Sequence, residues 1–133
     1  NFEISGSLSF ADHEYDFNHT PNKIVKGNTI DSAPKELANT RFTYLPTIGG
    51  KFEIEWIRVG DYPINESNAH NYEGHDIFNL RLKRDLISKT SIGLTIRNLT
   101  DERYATRADY AFGSYRYFVG NEREFYFSLE REF

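Results

Sequence analysis

The stretch Glu122-Arg123-Glu124-Phe125-Tyr126-Phe127-Ser128-Leu129-Glu130-Arg131-Glu132-Phe133 decides the fold class. At alternate positions Phe125, Phe127, Leu129 and Phe133 share one side with Arg131, while Glu124, Tyr126, Ser128, Glu130 and Glu132 share the other. Successive side chains of a strand point to opposite faces, so this is a β-strand with one greasy side and one polar, mostly acidic side. A single strand does not say which side meets solvent.

The same period of two recurs upstream. Phe2, Ile4, Gly6, Leu8 and Phe10 alternate with Glu3, Ser5, Ser7 and Ser9; Ala38, Thr40, Phe42 and Tyr44 alternate with Leu37, Asn39, Arg41 and Thr43. Phe52, Ile54 and Trp56 oppose Lys51, Glu53 and Glu55 in a third strand running to about Gly60. Phe78, Leu80 and Leu82 oppose Asn79, Arg81 and Lys83 in a fourth, and Ile92, Leu94 and Ile96 oppose Gly93, Thr95 and Arg97 in a fifth. Helical periodicity is weak throughout, with room for one turn at Ala33–Ala38. The expectation is an all-β antiparallel meander of about six strands.

The connections alternate in length. Long loops rich in Asn, Asp, Gly and Pro are expected at Ala11–Lys35, Asp61–His75 and Leu99–Asn121, with short turns at Pro46–Gly50 and Asp85–Lys89. A soluble barrel or sandwich points its apolar rows inward and usually has short loops at both ends. A transmembrane barrel points them at lipid, fills its interior with polar groups, and alternates short turns at one end with long loops at the other. The loop rhythm favours the second arrangement. Arg58 and Arg131, the charges that interrupt the apolar rows, lie near strand ends, where a long side chain snorkels to the interface.

Composition narrows the classes. The 133 residues include nine Tyr, eleven Phe and one Trp, a ring-heavy apolar content suited to strands and interfaces. The formal charge of −4 comes from interspersed acids and bases without a basic run, which argues against a nucleic-acid partner. There is no Cys, hence no disulfide, thiolate ligand or Cys nucleophile. No run of about 18 apolar residues exists for a transmembrane helix, and that test does not bear on a strand-built barrel.

Against this background Asn98-Leu99-Thr100-Asp101-Glu102-Arg103-Tyr104 resembles the Asn-Leu-x-Asp-x-x-Tyr segment after the penultimate barrel strand of TonB-dependent outer-membrane receptors. The likeness continues through Gly120-x-x-Arg123 and the aromatic strand ending at Phe133. It extends upstream to Ala33-Pro34-Lys35 and to Gly60-Asp61-Tyr62 with Asn65. Glu122 departs from the pattern, since many relatives carry Pro before the Arg.

The resemblance implies that residues 1–133 are the C-terminal segment of a 22-stranded transmembrane β-barrel, with the plug domain and earlier strands lying outside the chain. It implies a bacterial outer-membrane location and active transport: a scarce nutrient, foremost a ferric siderophore, bound outside and imported with TonB-derived energy. It also implies several partners. These are outer-membrane lipid, the plug and first strands of the receptor, TonB through the plug, and the barrel-assembly machinery through the last strand. Phe125, Phe127 and Phe133 would form the assembly signal, the short turns would be periplasmic and the long loops extracellular.

Within the last loop, Arg103, Arg107, Tyr110, Tyr115, Arg116 and Tyr117, with Phe112 and Phe118, mix rings and cations that suit contact with an anionic chelate. Packing of the same residues in the loops and in an interfacial aromatic belt is the more ordinary explanation. His13, Glu14, Asp16, His19, His70, His75 and Asp76 are ligand types, yet their spacing matches no standard metal site. Glu53 and Glu55 share a strand face as an acid/base pair would, but lumenal partners for Arg81 or Lys83 explain them more simply. No catalytic group, cofactor or metal is expected. The competing function is a soluble β-barrel or sandwich binding a small hydrophobic molecule or carbohydrate. It requires Phe78, Leu80, Leu82, Ile92, Leu94 and Ile96 to surround an interior cavity.

Overall fold

The computed structural model describes residues 1–87 and 89–132, so Phe133 and its expected assembly role lie outside the described residues. It is all-β. The strands are β1 (Phe2–Phe10), β2 (Glu36–Tyr44), β3 (Lys51–Val59), β4 (Tyr62–Pro63), β5 (Asn71–Tyr72), β6 (His75–Asp85), β7 (Thr90–Arg97), β8 (Ala105–Ala111), β9 (Ser114–Val119) and β10 (Glu124–Arg131). Six of them form one antiparallel sheet in the order β1-β2-β3-β6-β7-β10. The turn of helix considered at Ala33–Ala38 does not form: Glu36 already begins β2, and Pro34 disfavours helical backbone at the residue before it.

Register aligns the alternating rows into two faces of opposite character. Tyr44 stands opposite Phe2 and Phe52, Phe42 opposite Ile4 and Ile54, and Leu80 opposite Ile54 and Ile96. Ile96, Leu94 and Ile92 then meet Phe125, Phe127 and Leu129. This face is continuous and apolar, and no layer among the described residues packs over it. Ile4 is 76% exposed and Phe127 81%. Buried polar side chains of the sheet are on the other face: Thr43, Glu53, Glu55 and Asn79 are each below 9% exposed. The sheet is thus reversed from the soluble pattern, in which the apolar row is covered and the polar row wetted.

Dense pairing makes the polar face tolerable, because a buried carboxylate costs far less when its lone pairs are occupied. Glu55 accepts from Asn39 (3.0 Å), Arg41 (2.8 Å), Asn79 (3.1 Å) and Arg81 (2.9 Å). Glu53 accepts from Arg81 at 2.7 Å and pairs with Lys51 at 2.5 Å. Lys83 reaches Glu130 at 2.7 Å, carrying the network to the last strand. The paired carboxylates noted in the sequence are therefore cross-strand ties for two guanidiniums.

Charges on the apolar face lie at its two ends, with Arg84 and Arg131 near the short β6–β7 turn and the others at the long-loop end. Arg58 lies beside Glu36 and Asp76, and Asp76 also accepts the indole N–H of Trp56 at 2.7 Å. The short connections lie where expected: the Gly49 amide donates to Pro46 O at 3.3 Å, and the Leu86 amide to Thr90 O at 2.7 Å. The long connections hold the remaining strands. His75, expected in the second loop, opens β6, and the loop retains the β4–β5 ribbon. The third connection is largely the β8–β9 hairpin, with a register shift between Ala105 and Arg107.

Candidate functional site

All three long connections meet beyond one end of the sheet, and the second and third share a small core of Tyr62, Ile64, Ala105 and Ala108. Ile64 and Ala108 are 1% and 0% exposed, and Val59, Tyr72 and Tyr110 pack against them. Two tyrosine hydroxyls seat the hairpin on the ribbon. Tyr62 OH accepts from the Ala108 amide at 3.1 Å, and Tyr72 OH from the Ala105 amide at 3.0 Å. The Tyr110 amide donates to Ile64 O at 2.8 Å. Burial pushes the pKa of both Tyr62 and Tyr72 up, which keeps the hydroxyls neutral for this work.

The first connection is tied on by side chains. Asn68 accepts from the Thr29 amide and donates to its carbonyl, both at 2.8 Å, and Asn28 donates to Glu66 O at 2.8 Å. Lys23 and His19 pair with the Glu66 carboxylate, and the Lys23 contact holds its pKa below the usual range. Tyr15 donates to Asp31 Oδ1; that bond, followed by burial, pushes the phenol up to about 12.

The motif residues converge at the foot of the hairpin. Asn98, 2% exposed with φ of 49°, accepts from the Glu102 amide and donates to the carbonyls of Glu102 and Asn121. Asp101 accepts from the Arg123 amide at 2.9 Å and pairs with its guanidinium at 3.3 Å. A Cβ on Gly120 would meet the Tyr104 ring at 2.2 Å, so only glycine lets that ring lie flat on the chain. Asn98, Asp101, Tyr104, Gly120 and Arg123 together form one clamp holding both ends of the hairpin.

The six candidate contact residues separate into three groups. Tyr110, Tyr115 and Tyr117 come together on one hairpin face: Tyr110 and Tyr115 rings lie 5.1 Å apart, and Tyr115 and Tyr117 are parallel at 6.2 Å. His70 joins them, stacked on Tyr110 at 3.8 Å and hydrogen-bonded to Tyr115 OH at 2.8 Å. Arg107 and Arg116 are on the other face, both directed at Asp109, and each also covers a ring, Phe118 and Phe112 respectively. Arg103 is apart from both, in a cavity of about 520 Å³ with Tyr72, Tyr104 and Tyr117.

A second cavity of about 520 Å³ opens between all three connections, bounded by Lys23, Asp31, Glu66, Arg107, Asp109 and Tyr110 among others. Asp31 and Asp109 escape a reading of the sequence, because only the β8–β9 register and the loop docking bring them to one place. Of the histidines and acids weighed as metal ligands, His19 pairs with Glu66, His75 with Tyr72 OH, and Asp76 with Arg58 and Trp56. No three such groups among the described residues converge as a metal-ligand set. No family model and no curated protein matches this chain.

Proposed function

We propose that the chain is the C-terminal barrel segment of a TonB-dependent outer-membrane receptor, importing a scarce nutrient such as a ferric siderophore. The observation that carries this reading is the reversed sheet, with its buried, fully paired carboxylates on one face and a continuous uncovered apolar band on the other. Lipid is the solvent that makes such a band favourable. Charges near its long-loop end fit the interface, where their cost falls towards zero.

Open edges support membership of a larger barrel. β1 and β10 each carry one unpaired edge in the sheet, and unpaired main-chain groups in hydrocarbon cost several kcal/mol each. Additional strands closing the barrel between β10 and β1 would remove both. On this reading the short turns are periplasmic, the long connections extracellular, and the clamp at Asn98 and Arg123 fixes the angle of the hairpin over the lumen. On the same reading the work is binding and translocation rather than covalent chemistry.

Spin labels on single cysteines along β10, in the protein reconstituted into phospholipid vesicles, test the reading, since the chain has no cysteine of its own. Labels at 125, 127 and 129 should collide with oxygen dissolved in the bilayer, and labels at 126 and 128 should not. Uniform access to a water-soluble relaxant, or protection of the odd positions from both probes, would overturn it.

A further inference from the structure

We propose that the apolar face holds a site for one anionic phospholipid, its acyl chain lying in a furrow along β6 and β7 and its phosphate on Arg84. The inference rests on the receptor reading. Register supplies the furrow. One row across the sheet runs Tyr44, Phe52, Leu82, Leu94 and Phe127, and the next row towards the long loops runs Phe42, Ile54, Leu80, Ile96 and Phe125. Both rows carry rings at their flanks and aliphatic groups in the middle. Side chains stand roughly perpendicular to a sheet, and a ring reaches farther from it than a leucine, so the centre is lower than its flanks. Leu82 and Leu94 are half-buried there, while Phe127 at the rim is 81% exposed. The short-turn end of the furrow is a cavity of about 680 Å³.

Charge supplies the head of the site. The ionisable groups bordering that cavity are Lys51, Lys83 and Arg84, with no acid among them. Lys51 pairs with Glu53 and Lys83 with Glu130, both on the polar face. Arg84 differs. It alternates onto the apolar face with Leu80 and Leu82, opposite Ile92, and it is exposed. No carboxylate among the described residues lies within ion-pair distance of it, and its one hydrogen bond is a long contact of 3.4 Å to Gly49 O. Its neighbour Asp85 alternates to the polar face, whereas Arg131 shares the apolar face near the same turn.

A guanidinium with open donors at the end of an apolar furrow matches an amphiphile whose head is a phosphodiester, since its planar fork fits phosphate oxygens. A plain hydrocarbon chain would fill the furrow and leave Arg84 unpaired. Inorganic phosphate would pair with Arg84 and leave the furrow empty; a phospholipid satisfies both. On the receptor reading Arg84 lies at the membrane interface, where cationic side chains draw in lipids of net negative charge. Phosphatidylglycerol should therefore be preferred to phosphatidylcholine.

The two lipids, each carrying a diazirine midway along one acyl chain and each added in trace to phosphatidylcholine vesicles holding the receptor, test the site. After irradiation and digestion, phosphatidylglycerol should mark Leu82 and Leu94 several-fold more than Ile4 and Leu8 on the same face, and phosphatidylcholine should not. The preference should shrink as salt rises. Arg84→Gln should abolish it, and Arg58→Gln, at the far end and already paired, should leave it intact. Even marking along the face, equal preference for the two lipids, or persistence in Arg84→Gln would overturn the inference. So would absence of marking at both leucines, the result expected if a second copy of the chain covered the furrow. Each of these outcomes is compatible with β10 labels at 125, 127 and 129 in contact with the bilayer, so the site can fail while the receptor reading stands.

Discussion

Arg81 stands over Glu55 on the polar face of the sheet, with Nη2 2.9 Å from Oε2. Glu55 is 3% exposed, and its four partners come from two neighbouring strands. Glu55→Ala leaves the guanidiniums of Arg41 and Arg81 facing each other across an emptied site. Because both are more than a third exposed and can rehydrate, the cost should be about 1–3 kcal/mol. The denaturant midpoint of the detergent-solubilised protein checks this, and Glu130→Ala, at an exposed pair, should move it far less.

Seating of the hairpin depends on Tyr62 OH and Tyr72 OH. Tyr62→Phe removes the acceptor for a fully buried Ala108 amide at the cost of an unsatisfied donor, about 1–3 kcal/mol. Amide exchange at Ala108 and Tyr110 should accelerate while exchange in β3 and β6 is unchanged. Equal acceleration in the sheet would mean that the hydroxyl serves global folding instead.

Gly74 adopts φ of 81°, and a Cβ there would stand 2.2 Å from Val59 O. Gly74→Ala combines left-handed backbone strain with a clash against main chain that cannot swing away, a penalty of about 1–3 kcal/mol or more. Gly113, with φ of 77° and nothing within 4 Å of its added Cβ, should lose much less on the same change. Expression and thermal midpoint of the two variants compare strain with strain plus clash.

Tyr15 carries a pH signature. Its pKa is raised to about 12, chiefly by donation to Asp31, so the bond stabilises the loop fully below about pH 10. That stabilisation is lost as pH rises through about 12, since the unfolded phenol ionises first. Phenolate absorbance of wild type minus Tyr15→Phe should show a transition near the upper value, and Asp31→Asn should bring it down. A difference curve centred at the ordinary tyrosine value would refute the assignment.

The sheet was legible because residue order alone carries a period of two. Phe52, Ile54 and Trp56 against Glu53 and Glu55 is unambiguous, and all six strands of the large sheet fall where that alternation places them. The hairpin was not legible. Ala105, Arg107 and Asp109 alternate without a hydrophobicity contrast, a register shift interrupts them, and burial of Ala108 comes from Tyr62, 46 residues away. For the same reason Asp109 and Asp31 carried no signal, while the tyrosines of the loop stood out by type and left their partner His70 to the fold.

The docking of Tyr62 on Ala108 sets an order of events during biogenesis, on the membrane reading. Its two halves belong to different connections, and both must lie beyond the same membrane surface before they meet. The loop core therefore forms last, after its polypeptide has crossed in extended form, and late local contacts of this kind have little influence on the rate of insertion. Damage to Ile64 or Ala108 should leave a barrel that inserts at its normal speed and carries an unassembled crown.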